Sequence, residues 1–189
     1  MVKCPVLSSL PLAWCLLTEK TLRIRYLFLI LAVSPGFPLA LAGETLPSPA
    51  GEVILTISGN IERSNGSGIA ALDREMLERI GKRTIRTTTA WTDGVKAFEG
   101  PLMRDVLAFV GAHGTSVKAT ALNDYVVEIP VADFEKYDVI LALRMDGRDL
   151  HPADKGPIWI VYPRDQFSEL QTPRYDERWC WQLTRLVVQ

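Results

Sequence analysis

Apolar positions along this chain recur with two different periods, and each change of period marks an element. Val53-Ile-Leu-Thr-Ile-Ser58, ended by Gly59-Asn60, reads as a strand. Ser64-Asn-Gly-Ser-Gly68 reads as a flexible turn. Asp73 then stands as the N-cap of a short helix, with Leu72 and Leu77 at the positions of a hydrophobic staple and Gly81 at its C-cap. Thr84-Ile-Arg-Thr-Thr-Thr89 is rich in β-branched residues, which suit a pleated surface, and reads as a second strand. Trp91 to Gly100 is expected as a loop. Pro101 stands at a helix start, followed by an apolar stripe of Leu102, Met103, Val106, Leu107 and Val110 at 3.6 spacing and a stop at Gly111.

Beyond that helix the pattern turns back to strands. Val117 to Leu122 and Tyr125 to Ile129 are expected to pair across the tight turn Asn123-Asp124. Asp133 to Tyr137 supports at most one helical turn, and Val139 to Leu143 reads as a buried strand. Asp146-Gly147 is the strongest hairpin signal in the chain. His151 to Gly156 is a polar loop, Pro157 to Tyr162 another strand, and Trp179 to Val188 closes the sheet. Strands interrupted by two short helices, without regular βαβ alternation, predict an α+β domain with a largely antiparallel or mixed sheet. There is no internal repeat and no low-complexity tract.

The front of the chain follows neither period. Lys20-Thr-Leu-Arg-Ile-Arg25 is positively charged, Tyr26 to Val33 is apolar, and apolar character resumes past a Pro-Gly break as far as Leu41. Ala40-Leu-Ala42 offers small residues at both positions of an A-x-A cleavage site. The unbroken run is shorter than the roughly 18–20 residues a spanning helix needs, and Pro35, Gly36 and Pro38 interrupt it. A retained membrane anchor is therefore the weaker reading. The expected organisation is a signal peptide over residues 1–42, a linker over 43–52 and one domain over 53–189, exported to the periplasm with no membrane span after cleavage.

Composition narrows the classes. The 189 residues are 48% hydrophobic and 23% charged, an ordinary globular balance that excludes disorder, collagen and long coiled coil. Formal net charge is -1; the leader holds four Lys/Arg against Glu19, so the remainder carries -4. No positive excess exists to replace phosphate counterions, and nucleic acid is not an expected partner. One cysteine, Cys180, remains after cleavage, so no intramolecular disulfide can form. Between Trp179 and Trp181 it is expected as a small buried hydrophobe.

Motifs carry little chemistry by themselves. No P-loop, dinucleotide-binding fingerprint or nucleophile elbow is present. His113 and His151 lie in separate polar loops without ligand spacing, so no metal-ligating residue is assigned. Lys82, Arg83 and Arg86 form a basic cluster best read as a solvated face. Asn123-Asp124-Tyr125 is either a polar site or ordinary turn chemistry. Trp91, Trp159, Trp179 and Trp181 are expected in the core more than on a ligand platform.

Several segments in order resemble the sulfite-oxidase-type molybdopterin-binding domain family. Thr87-Thr-Thr-Ala-Trp91 lies where that family has a Cys-x-x-x-Trp-like segment. Phe98-Glu-Gly-Pro-Leu-Met-Arg-Asp-Val-Leu107 resembles its Gly-x-x-Leu helix start, and Ala121-Leu-Asn-Asp-Tyr125 its short turn ending in Tyr. Leu141-Ala-Leu-Arg-Met-Asp-Gly147 followed by Gly156-Pro-Ile-Trp-Ile-Val-Tyr-Pro163 resembles its Leu-Ala-x-x-x-Asn-Gly … Gly-Pro-x-Arg-x-x-x-Pro pair. The resemblance implies the sulfite-oxidase-like fold. It also implies two departures. The family's cysteine is the thiolate ligand of molybdenum, whereas Thr87 offers only a hard, neutral hydroxyl. The family's arginine in the last strand is matched by Trp159, which puts an indole where a cation would meet an anionic cofactor.

Export bears on the same point. Members that carry the cofactor leave the cytoplasm folded through a twin-arginine signal, whereas Arg23 and Arg25 are split here by Ile24. The reading is therefore a non-redox periplasmic binding or accessory module, a sensory role being one form of it. Its cleft lies near Thr87, Trp91, Asn123, Asp124, Tyr125 and Arg144, it takes a small molecule or a periplasmic or membrane protein partner, and it needs no cofactor. The alternative is a molybdopterin-dependent oxidoreductase with a non-cysteine metal site, using Thr87 or a water at the metal.

Overall fold

Residues 45–189 are described by a computed structural model, and within them the first and last strands lie side by side. The expected leader over residues 1–42 lies outside the described residues. Strand β1 (Val53–Gly59) is followed by β2 (Ala70–Asp73), helix α1 (Arg74–Ile80), β3 (Arg83–Thr89), β4 (Thr92–Gly100) and α2 (Met103–Phe109). Next come β5 (Ser116–Ala121), β6 (Val126–Pro130), α3 (Val131–Lys136), β7 (Ile140–Ala142), β8 (Arg144–Met145), β9 (Arg148–Asp149) and β10 (Trp159–Val161). Two 3₁₀ turns at Arg164–Gln166 and Ser168–Leu170, α4 (Pro173–Asp176) and β11 (Leu183–Val188) complete the chain. Among the described residues no helix is long and apolar enough to cross a membrane.

The strands form three sheets: five strands in the order β2-β1-β11-β5-β6, four in the order β3-β4-β8-β9, and the pair β10-β7. The β1–β11 pair is parallel and the others are antiparallel, so the α+β architecture and the mixed sheet agree with expectation. Final strand β11 does not flank the sheet. It runs through its middle between β1 and β5, with Leu183, Leu186 and Val188 buried. Alternation on β1 is clean: Leu55 and Ile57 are fully buried while their neighbours are only part-covered.

Local chemistry explains the element ends. Asp73 caps α1, its Oδ1 accepting from the Met76 N–H at 2.8 Å. Its Oδ2 accepts from the N–H groups of Ala50 and Gly51, both at 2.8 Å, and Leu46 is buried with its N–H donating to the Ser64 carbonyl, so the stretch preceding β1 is docked onto the domain from Leu46 onward. Gly81 ends α1 in an extended conformation, not the left-handed one that favours glycine. Asp146 (φ 52°) and Gly147 (φ 75°) form the expected tight hairpin between β8 and β9. Pro101 sits just outside α2, whose cap is Leu102; the Pro101 carbonyl accepts from the Leu141 N–H at 2.9 Å.

Two expectations fail: α3 and α4 are helices beyond the two expected, and the loop expected over Trp91 to Gly100 is mostly strand. Thr92–Gly100 is a nine-residue strand rather than a loop. Tertiary pairing overrides the weak local propensity of Asp93, Gly94 and Lys96: β4 pairs with β3 and again with β8. At Gly100 a side chain would overlap the Leu141 carbonyl, so only glycine lets β4 pass β7.

The backbone N–H of Met76 and those of the preceding loop hold the Asp73 carboxyl below its ordinary value of 3.8. A lowered folded pKa contributes stability that is present above the unfolded value and lost as pH falls through the folded one. Asp73→Asn should therefore cost about 1–2 kcal/mol at neutral pH. Urea midpoints of the variant and the wild type should converge as pH drops below about 4.

Candidate functional site

Four indoles converge from three parts of the chain. Trp91 occupies the turn between β3 and β4, where the Thr89 hydroxyl accepts from the Trp91 N–H at 3.0 Å and meets the Thr92 hydroxyl at 2.9 Å. This threonine pair fixes the turn and so the direction of Trp91. Trp159 comes from β10, and Trp179 and Trp181 from the segment entering β11. Ring centroids lie 5.3 Å apart for Trp91–Trp181, 5.6 Å for Trp91–Trp179 and 5.8 Å for Trp159–Trp179. Trp159 and Trp179 are core, as expected. Trp91 and Trp181 are only partly buried and face a cavity.

That cavity has a volume of about 360 Å³. Trp91, Trp179, Trp181 and Tyr125 form its aromatic walls, and Asn123, Asp176 and Glu177 supply polar groups. The Tyr125 hydroxyl donates to the Glu177 carbonyl at 2.8 Å, joining the β5–β6 turn to the end of α4. Burial, with the negative charge of Glu177 nearby, raises the Tyr125 phenol above its ordinary value, so it stays a donor at neutral pH. Asn123 Oδ1 accepts from the Tyr125 N–H at 3.2 Å, and Asp124 takes the left-handed conformation (φ 61°) at the turn tip.

The other candidate residues lie apart. Thr87 is fully buried and does not line the aromatic cavity. Its hydroxyl donates to the Thr88 carbonyl at 3.2 Å and accepts from the Asp165 N–H at 3.1 Å. The Asp165 carboxylate in turn accepts from the Thr88 N–H at 2.7 Å and hydroxyl at 2.6 Å, so the Arg164–Gln166 turn is pinned over position 87. Arg144 pairs with Asp149 at 2.8 Å and Glu78 at 2.9 Å, and it borders a different cavity, between α1 and β8. Thus Trp91, Asn123 and Tyr125 meet at one cavity, while Thr87 and Arg144 do not join them.

Cations near the aromatic cluster are already committed. Arg164 pairs with Asp176 at 3.3 Å. Arg178 forms an ion pair with Asp133, whose carboxylate also accepts from the Tyr162 hydroxyl at 2.8 Å. All three residues of that network are buried, and burial pushes the Tyr162 phenol well up. Lys155 sits over the faces of Trp181 and Trp159, at 5.0 and 5.3 Å. Burial also raises the Cys180 thiol to about 12, so it stays protonated. His113 and His151 are exposed, and the basic cluster pairs outward, Lys82 with Glu99 and Arg83 with Asp138. Among the described residues no group of three or more His, Cys, Asp or Glu could hold a metal ion.

Sequence reasoning missed Asp165, Asp176 and Glu177. The spacing Trp179-x-Trp181 was a usable signal, because residues two apart on an extended chain face one side.

The model of the oxidoreductase molybdopterin-binding domain family matches residues 73–168. Among solved structures, a chain of the sulfane dehydrogenase SoxCD from Paracoccus pantotrophus is similar, with a TM-score of 0.53 and 19% sequence identity. The match covers 71% of this chain but 37% of that one, so this chain spans little over a third of its neighbour's length. At that identity the likeness concerns the fold. No curated protein matches.

The residues present do not suit molybdopterin. The position that the resemblance sets against the metal-ligand cysteine carries a hydroxyl that is covered by Asp165 and committed to two hydrogen bonds. The position that the resemblance sets against the arginine carries Trp159, whose buried Nε1 has no hydrogen-bond partner among the described residues. The nearby cavity bears carboxylates, the wrong sign for an anionic cofactor.

Proposed function

We propose that this chain, which belongs to the oxidoreductase molybdopterin-binding domain family, is an exported, non-redox binding module that holds its ligand in the aromatic cavity beside Trp91. One observation carries this reading: a cavity walled by indoles and a phenol stands open, whereas the Thr87 position is fully buried and closed. Ligand pockets combine mostly apolar walls with a few placed polar groups, and Asn123, Asp176 and Glu177 supply those here. Family membership supports a scaffold rather than a reaction, because folds host unrelated functions. Export and a periplasmic location rest on the leader pattern in residues 1–42. Partner binding is part of the same proposal: Leu122, Tyr125 and Val126 expose large apolar side chains at the β5–β6 turn and suit a periplasmic or membrane protein.

The family's own chemistry remains the second reading. Membership favours a molybdopterin-dependent oxidoreductase; Thr87 and Trp159 oppose it. Native mass spectrometry of the protein taken from its own cells separates the two. A bound small molecule that is not a pterin, lost in Trp91→Ala, is the expected result. A stoichiometric molybdopterin mass would contradict the proposal.

A further inference from the structure

We propose that the cavity recognises an organic cation of the quaternary ammonium class, an inference that rests on the binding-module reading above. Three features point the same way. Trp91, Trp179, Trp181 and Tyr125 present π systems to one space of about 360 Å³, and the negative face of such rings attracts cations, most strongly when desolvated. The charged residues lining that space are Asp176 and Glu177, and no lysine or arginine lines it among the described residues. Asp176 already has Arg164 as its partner, whereas Glu177 makes no ion pair among the described residues and is exposed at the mouth. The same indole cluster already holds one ammonium, that of Lys155, on the faces of Trp159 and Trp181. Lys155 does not line the cavity and leaves it free.

Apolar walls exclude small hydrated ions, which would lose their water to rings that return little hydrogen bonding. An alkylated ammonium carries its charge on a greasy surface and loses far less. A carboxylate on the ligand would meet Glu177, so choline should bind better than glycine betaine. Its uncharged isostere, 3,3-dimethylbutan-1-ol, has the same shape and isolates the contribution of charge.

Titration of the purified full chain with these three probes tests this, followed by tryptophan fluorescence, because four of the five tryptophans sit in the cluster. Choline should bind about tenfold or more tighter than the neutral isostere. Glu177→Gln, at an exposed position whose backbone carbonyl still anchors Tyr125, should weaken choline by roughly three- to tenfold and leave the isostere unchanged. Trp91→Ala should abolish choline binding. Isostere binding as tight as choline, or choline binding unchanged in Glu177→Gln, overturns the cation assignment and leaves a binding module standing. No saturable signal from any probe also overturns the assignment. Molybdopterin in the protein removes the underlying reading instead.

Discussion

Arg178→Met should cost about 3–5 kcal/mol of stability, the largest loss expected from any single ion-pair deletion in this domain. Asp133, Tyr162 and Arg178 are all buried, and the Asp133 carboxylate is compensated by the Arg178 guanidinium and the Tyr162 hydroxyl. Removing the guanidinium leaves a buried carboxylate with one neutral donor. Taking such a charge out of water is favourable only while its partner is present. Breaking the pair should lower the urea midpoint with little change in slope. The double variant Asp133→Leu with Arg178→Met should recover most of the loss, because no unpaired charge then remains. A single variant within about 1 kcal/mol of wild type would mean that water reaches the network. The consequence for the cavity is direct, since Glu177 and Trp179 flank Arg178 and are held in place with it.

Trp159→Ala should destabilise by about 3–5 kcal/mol, the cost of a large cavity in a packed interior. Its ring is fully buried, and it meets Phe98 edge to face at 5.3 Å and Trp179 at 5.8 Å. Its Nε1 finds no oxygen acceptor, so Trp159→Phe should cost less than the alanine change despite a smaller ring. Trp159→Arg would insert the residue that the family resemblance places there. It should be at least as damaging as alanine, because the ring is fully buried and a guanidinium in its place would be a charge taken out of water. Thermal and urea unfolding of the three variants check this order. Tolerance of arginine at position 159 would mean that an anion site survives under the indoles.

Much of the fold was legible because pattern and tertiary context agree there. Apolar alternation at Val53–Gly59, the Asp73 cap and the Asp146-Gly147 turn are each local and self-sufficient signals. Strand β4 was not legible, because Asp93, Gly94 and Lys96 favour no strand locally, and the element is made by pairing of Lys96–Gly100 with β3 and of Phe98 and Glu99 with β8. At the site, the convergence of Trp91, Asn123 and Tyr125 followed from a family resemblance, not from spacing. The separation of Arg144 could not be read, since its neighbours Glu78 and Asp149 are set by how α1 packs on the β8–β9 hairpin. The closure of Thr87 depends on Asp165, 78 positions away in the chain, and no local pattern announces such a contact. The carboxylates of Asp176 and Glu177 were hidden for the same reason, at the end of a helix of only four residues.

Thr87 decides whether this domain kept its family's chemistry, and molybdenum content tests it most directly. The native protein and Thr87→Cys should be produced in cells that make molybdopterin, then assayed for metal per chain. Neither should hold stoichiometric molybdenum, because the sulfur alone does not reopen a position covered by Asp165 or supply a cation at Trp159. One molybdenum per chain in the native protein would contradict this and favour the oxidoreductase reading.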